Sequence, residues 1–225
     1  MPLEIHVSDD PATIVGELLA EQATDGGSIV LTGGSTPGRA YRHAAERAPD
    51  WGRVTLWWGD ERCVAPDDER SNYHLARETL LDHLAVQPAA IHRIRGEAPP
   101  EEAAAELDAA LEGAGLDLLL LGLGSDGHMA SLFPGSPQLE VRDRRATHGP
   151  PGLEPFVHRI TMTVPTIESA GRIVFLVTGA AKADAVARAF AAEVSPDVPA
   201  SLARLSPNPV EVFLDEAAAA KMDGR

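Results

Sequence analysis

The chain has a single cysteine, Cys63, few basic residues and no long apolar run, and each shortage closes off a class of protein. One cysteine cannot form an internal disulfide, which points to a reducing compartment. It also cannot build a thiolate zinc site. The 8 histidines include no His-x-x-x-His pair, so no metal is expected. The 19 Lys and Arg stand against 34 Asp and Glu, a formal charge of −15, which argues against a nucleic-acid partner or an anionic membrane surface. No apolar stretch approaches the ~20 residues needed to span a bilayer. Met1 to Pro11 has neither the basic start nor the apolar segment of a secretory signal, so a cytoplasmic protein is expected. Two motifs are missing as well. No Gly-Lys-Ser/Thr closes a glycine-rich loop, which excludes a Walker site, and no Gly-x-Ser-x-Gly elbow appears, which disfavours a Ser–His–Asp hydrolase.

What the 225 residues do contain is a regular alternation of short apolar runs and amphipathic segments. Leu3–Val7, Ser28–Thr32, Val54–Trp58, Leu116–Leu121, Arg159–Val164, Arg172–Val177 and Val210–Leu214 read as strands. Most are near-continuous in Val, Ile and Leu, as parallel strands buried on both faces should be. Between them, Pro11–Thr24, Gly38–Glu46, Asn72–His83, Pro100–Gly113, Ala180–Ala192 and Glu216–Met222 read as helices, with Ser71 or Asn72 as an N-cap. The alternation predicts one α/β domain over 1–225, a doubly wound, mostly parallel sheet with helices on both faces. The stretch 134–155 lacks periodicity and is long for a loop, so it is expected to be a flap beside the 122–128 turn.

Residues 117–137 carry the most information: Asp-Leu-Leu-Leu-Leu-Gly-Leu-Gly-Ser-Asp-Gly-His-Met-Ala-Ser-Leu-Phe-Pro-Gly-Ser-Pro. A buried-strand run ends in a glycine-rich turn bearing Asp126 and His128, at the strand end where open α/β sheets bind ligands. Gly122-x-Gly124-x-x-Gly127 also spells a dinucleotide fingerprint. That fingerprint needs a full helix after its last glycine, and Pro134, Gly135 and Pro137 leave no room for one. Asp126 would also oppose a pyrophosphate, so no nicotinamide cofactor is expected.

Three further segments sit at predicted strand ends. Gly33, Gly34, Ser35 and Thr36 offer backbone N–H groups and hydroxyls ahead of a helix, a phosphate cradle whose plain alternative is a capped turn. Asp60 and Arg62 follow the third strand. Arg62 could fork onto a phosphate or steady an oxyanion, and Asp60 could orient it, whereas Glu61 reads as a solvated charge. Cys63, beside acids, is not expected to be a reactive thiol. Lys182 opens a helix whose dipole it opposes unless an anion binds there. His74, His83 and His92 read as surface or satisfied core residues on or near helices.

Thr32-Gly-Gly-Ser-Thr-Pro37, Trp58-Gly-Asp-Glu-Arg62, Ser71-Asn-Tyr73, Gly122-Leu-Gly-Ser-Asp-Gly-His128 and Gly179-Ala-Ala-Lys182, in this order, resemble the 6-phosphogluconolactonases. The resemblance implies a modified Rossmann sheet shared with glucosamine-6-phosphate deaminases and ribose-5-phosphate isomerases, no cofactor, and a phosphosugar lactone as substrate. A monomer is expected. In that setting His128 would act as general base on water, with Asp126 orienting the site and Arg62 and Asp60 beside it. The Gly33–Thr36 loop, Lys182 and Arg159 would hold the phosphate. Deaminases follow the shared Asp-Gly-His with a segment whose glutamate completes a relay to the histidine. Here Phe133 takes that place, which favours the lactonase branch. A deaminase or isomerase on the same scaffold is one alternative. A sugar-phosphate-binding module without turnover is another, but no helix-turn-helix or basic stripe supports it.

Overall fold

The computed structural model describes residues 3–48, 50–151 and 155–222. Its chain alternates as expected through β1 (Leu3–Val7), α1 (Pro11–Asp25), β2 (Gly27–Leu31), α2 (Ser35–Arg47) and β3 (Val54–Trp58). After a short β4 (Asp60–Arg62) come α3 (Asn72–Thr79), β5 (Ala90–His92), α4 (Pro100–Ala110) and β6 (Leu118–Leu121). The last third holds β7 (Ala146–Gly149), β8 (Arg159–Met162), α5 (Val164–Glu168), β9 (Ile173–Val177), α6 (Ala183–Phe190), β10 (Val210–Leu214) and α7 (Glu216–Ala219).

Seven strands form one sheet in the order β1-β10-β9-β6-β2-β3-β5. Every pairing in it is parallel. Burial follows position. The central strands β6, Leu-Leu-Leu-Leu, and β9, Ile-Val-Phe-Leu-Val, are buried throughout, while the edge strand β1 exposes Glu4, Ile5 and His6. Strands covered by helices on both faces need no polar alternation, so their sequences run apolar. From β2 the chain moves outward through β3 to β5, then returns to the far side of β2 as β6. The order therefore reverses between β2 and β6, and loops leaving their carboxyl ends diverge there to open a crevice.

Past β3 the chain does something the apolar pattern did not foretell. It leaves the parallel sheet at Gly59 and enters a second, three-stranded antiparallel sheet, β4-β8-β7. Arg159–Val164 was expected to be one more strand of the main sheet. It instead gives the central strand of this small sheet and ends at Met162, where Val164 and Pro165 begin α5. The expected flap is also partly regular: Pro137–Glu140 is a 3-10 turn, and β7 pairs with β8 from Ala146 to Gly149. Ala-Thr-His-Gly has no apolar alternation, so its pairing was invisible in the sequence. Residues 152–154 of that stretch lie outside the described residues. Helix Asn72–His83 stops at Thr79 and continues as a 3-10 turn over Leu81–His83. His92, expected near a helix, lies in β5 and stacks on Trp57 at 4.0 Å between ring centroids.

Candidate active site

A cavity of about 320 Å³ opens at the reversal between β2 and β6. Its walls are the loops that leave β2, β3, β6 and β9, and Arg159 on β8 closes one side. Asp60, Arg62, His128, Lys182 and the whole Gly33–Thr36 segment line it. The imidazole and the glycine loop, 95 residues apart from Gly33 to His128, thus face one space.

His128 is fixed by its own turn. Its ring Nδ1 lies 2.6 Å from Asp126 Oδ1, and its backbone N–H donates to the same oxygen at 3.1 Å. With Nδ1 donating to a carboxylate, Nε2 is the nitrogen left to accept a proton. The two side chains are 24% and 33% exposed, sheltered yet open to the cavity. Burial pushes the Asp126 carboxyl up, but the hydrogen bond and charge of His128 outweigh it and hold the group below its ordinary range. Gly124 makes this geometry possible. Its Cα faces both groups, and a Cβ there would run into His128 Nδ1 and Asp126 Oδ1. From α6, Arg188 donates to the Asp126 carbonyl at 2.5 Å and ties down the turn.

Strand periodicity sorts the charges of β4. Asp60 and Arg62, two apart, share the cavity face, and Glu61 points the other way. Glu61 is not the solvated charge expected from sequence: it is 2% exposed and accepts from the N–H groups of Arg62, Asn72 and Tyr73 and from the Ser71 hydroxyl. Burial pushes its carboxyl up, and those four donors oppose the rise. The residue caps α3 from outside while Ser71, as expected, caps it from within. Asp60 is buried too and accepts from Ser131 Oγ at 2.6 Å and Asn72 Nδ2 at 3.1 Å. Both are neutral donors, and neither is Arg62, the group Asp60 was expected to orient. Arg62 Nη1 donates to the Arg70 carbonyl at 2.5 Å. Cys63 behaves as expected, since burial and the Glu61 charge push its thiol up to about 11.

The Gly33–Thr36 side of the cavity is built largely from backbone. Gly34 precedes α2, and Ser35 and Thr36 occupy its first turn rather than a loop before it. Gly33 packs so closely on Asn72 that a Cβ would overlap the Asn72 amide oxygen. The Tyr41 hydroxyl donates to the Thr32 carbonyl at 2.7 Å and accepts from the Thr32 N–H at 2.9 Å, pinning the peptide from which the loop departs. Thr36 Oγ1 meets Thr178 Oγ1 at 2.8 Å, joining the loops after β2 and β9. Lys182 ends a 3-10 turn, Ala180–Lys182, directly ahead of α6. Burial pulls its ammonium below the usual lysine value, against the opposing charge of Asp126. Arg159, 5% exposed, is likewise lowered by burial and raised by Asp60. A buried Arg159 and a half-buried Lys182 lining one cavity are a desolvation cost that an anionic ligand would offset.

Asn72, Ser131, Tyr41 and Arg188 were not picked out as site residues from sequence. Only Asn72 carried a signal, as a candidate N-cap and as part of the Ser71-Asn-Tyr73 stretch, because the others act through long-range contacts. Glu4, His6 and Glu211 could together hold a metal ion, but none lines the cavity, and Glu211 is already bound by Arg172 at 2.6 and 2.8 Å. Among the described residues no helix is long and apolar enough to cross a membrane.

Fold and cavity together define a doubly wound α/β protein with a cavity lined by cationic and polar groups at the reversal of strand order. The model of the family of glucosamine-6-phosphate isomerases and 6-phosphogluconolactonase matches residues 7–212, and the chain belongs to that family. A 6-phosphogluconolactonase of Synechocystis sp. is 40% identical over 194 residues, 82% of this chain and 79% of that one. A 6-phosphogluconolactonase of Mycobacterium leprae is 36% identical over an aligned length of 248 and covers all of both chains. The solved 6-phosphogluconolactonase of Trypanosoma cruzi superposes with a TM-score of 0.85 at 26% identity, covering 99% of this chain and 98% of that one. A monomeric glucosamine-6-phosphate deaminase superposes with a TM-score of 0.83 at 23% identity over 98% of this chain and 100% of that one, a likeness of fold alone.

Proposed function

We infer that the protein is a 6-phosphogluconolactonase, hydrolysing 6-phospho-D-glucono-1,5-lactone to 6-phosphogluconate with His128 as general base. The carrying observation is the imidazole bound to Asp126 at 2.6 Å on the wall of the cavity that also holds the Gly33–Thr36 loop and Lys182. The names of the relatives support the same reaction.

A lactone carbonyl is already electrophilic, so the reaction needs an activated water and a stabilised oxyanion. His128 Nε2 takes a proton as the water oxygen bonds to C1, and the carbonyl electron pair moves onto its oxygen. Re-forming the carbonyl breaks the bond from C1 to the ring oxygen, which receives the proton back from the imidazolium. The acid product then ionises to a carboxylate. Asp126 holds the ring in the tautomer that leaves Nε2 unprotonated and balances the imidazolium. Arg62 furnishes positive charge to the developing oxyanion or to the phosphate, and Arg159 adds charge on the phosphate. The Gly33–Thr36 amides and Lys182 bind the phosphate and set C1 against the water. Asp60, committed to Ser131 and Asn72, ties the 128–132 segment to α3 and serves as a positioning residue. The chain would act as one cytoplasmic domain and as a monomer.

Acid release from freshly prepared lactone, corrected for its spontaneous opening, tests the reaction. Release well above the uncatalysed rate is expected, without ammonia from glucosamine 6-phosphate. Ammonia release with no lactone opening would overturn it.

A further inference from the structure

Phe133 is an aromatic residue without a place in the hydrophobic core. It is half-buried, and it belongs neither to the packed cluster nor to the partly buried apolar side chains against it. Its ring instead meets two groups that line the cavity. The His128 imidazole lies 4.7 Å away between centroids, tilted by 51°, and the Arg159 guanidinium carbon stands over the ring at 5.5 Å from its centroid. The backbone leading to Phe133 is bent. Between His128 and Phe133 the chain makes a tight turn in which Leu132 N–H donates to the Met129 carbonyl at 2.9 Å, and Ala130 adopts φ 47°. A left-handed alanine costs energy, and such strain persists only where surrounding contacts enforce it.

We propose that Phe133 is a positioning residue whose ring holds the His128 imidazole and the Arg159 guanidinium against one aromatic surface, setting the plane of the base and its distance from that cation. The assignment of His128 as base rests on the lactonase reading, but the contact does not. An aromatic face attracts cations through its quadrupole and neutralises none of their charge. It can therefore steady Arg159 and accommodate an imidazolium while leaving the charge of both to act on an anionic ligand. A carboxylate at position 133 would cancel that charge.

Other ionisable groups face His128 from several sides. Asp126 is on its own turn, Asp60 and Arg62 on β4, Arg159 on β8, Lys182 ahead of α6 and Arg188 on it. Removing the ring takes a cation-stabilising face from the imidazolium, which disfavours its protonation. The test is the titration of His128 in the intact chain, followed by the NMR of its ring, for wild type, Phe133→Leu, Phe133→Met and Phe133→Tyr. The protonation midpoint should fall by roughly half a pH unit in the Leu and Met variants and stay in place in the Tyr variant. Because Phe133 stands outside the core, melting temperatures should hardly move, and the Met variant decides if the Leu variant folds poorly. On lactone, kcat should drop about tenfold in Leu and Met with a smaller change in KM, and Tyr should restore it. An unmoved or raised midpoint overturns the proposal even if activity is lost. A wild type inert on lactone would sink the lactonase reading while the titration still decides the role of Phe133.

Discussion

The carboxylates that follow β3 and β6 are used in opposite ways. After β6, Asp126 is one-third exposed and binds the imidazole of the cavity. After β3, Glu61 is 2% exposed and accepts from three backbone N–H groups and a hydroxyl, all within residues 62–73. The difference lies in the backbone that carries each. Asp126 sits in a glycine turn that brings it back onto a side chain two residues away. Glu61 sits in an extended strand, where period two sends Asp60 and Arg62 to the cavity and Glu61 to the far face. A carboxylate at a strand end is therefore chemical or architectural according to the local path of the chain, whatever its sequence neighbours.

Four substitutions would break or sharpen that contrast. The largest effect is expected from Gly124→Ala, whose methyl displaces both members of the His128–Asp126 pair. Steady-state kinetics should show kcat down by about a hundredfold or more, since a 1 Å misplacement of a reacting group can cost that much. Asp126→Asn should lower kcat by roughly ten- to a hundredfold and shift the acid limb of kcat/KM to lower pH, because the imidazolium loses its counter-charge. The same variant has a signature in stability. A carboxyl held below its ordinary range stabilises the fold above its unfolded pKa, near ~3.9, and that contribution is lost as pH falls through the lower folded value. The wild type's advantage over Asp126→Asn in urea midpoint should thus be present at neutral pH and shrink below about pH 4.

Lys182→Ala comes next and should act on binding, raising KM about tenfold with kcat less affected, as loss of a charge-assisted phosphate contact would. Glu61→Gln should have the smallest kinetic effect. It places an amide donor among four donors, so stability should fall by about 2 kcal/mol in urea unfolding. The pH profile of the molecules that remain folded should not move. A shifted profile there would erase the distinction between the two carboxylates.

Much of the fold was legible because the central strands declare themselves: Leu118–Leu121 and Ile173–Val177 are buried on both faces and carry no polar residue. The second sheet and the edge strand β5 of the first were not. Asp-Glu-Arg and Ala-Thr-His-Gly in the one and Ala-Ile-His in the other are short, and their pairing depends on partners far away in sequence. The site was legible where glycine and charge coincide at a strand end, as at Gly124–His128 and Gly33–Thr36. Contacts such as Ser131 on Asp60 or Tyr41 on Thr32 arise only once the chain has closed on itself. Glu61 was misread because nothing in Gly-Asp-Glu-Arg says which of two adjacent acids faces inward.

The most direct measurement is the rate of lactone opening by His128→Ala, taken together with its affinity for 6-phosphogluconate. With His128 as base, kcat falls by about 10²–10⁴-fold while product affinity stays within a fewfold of wild type. Undiminished turnover in a variant that still binds the product would contradict it.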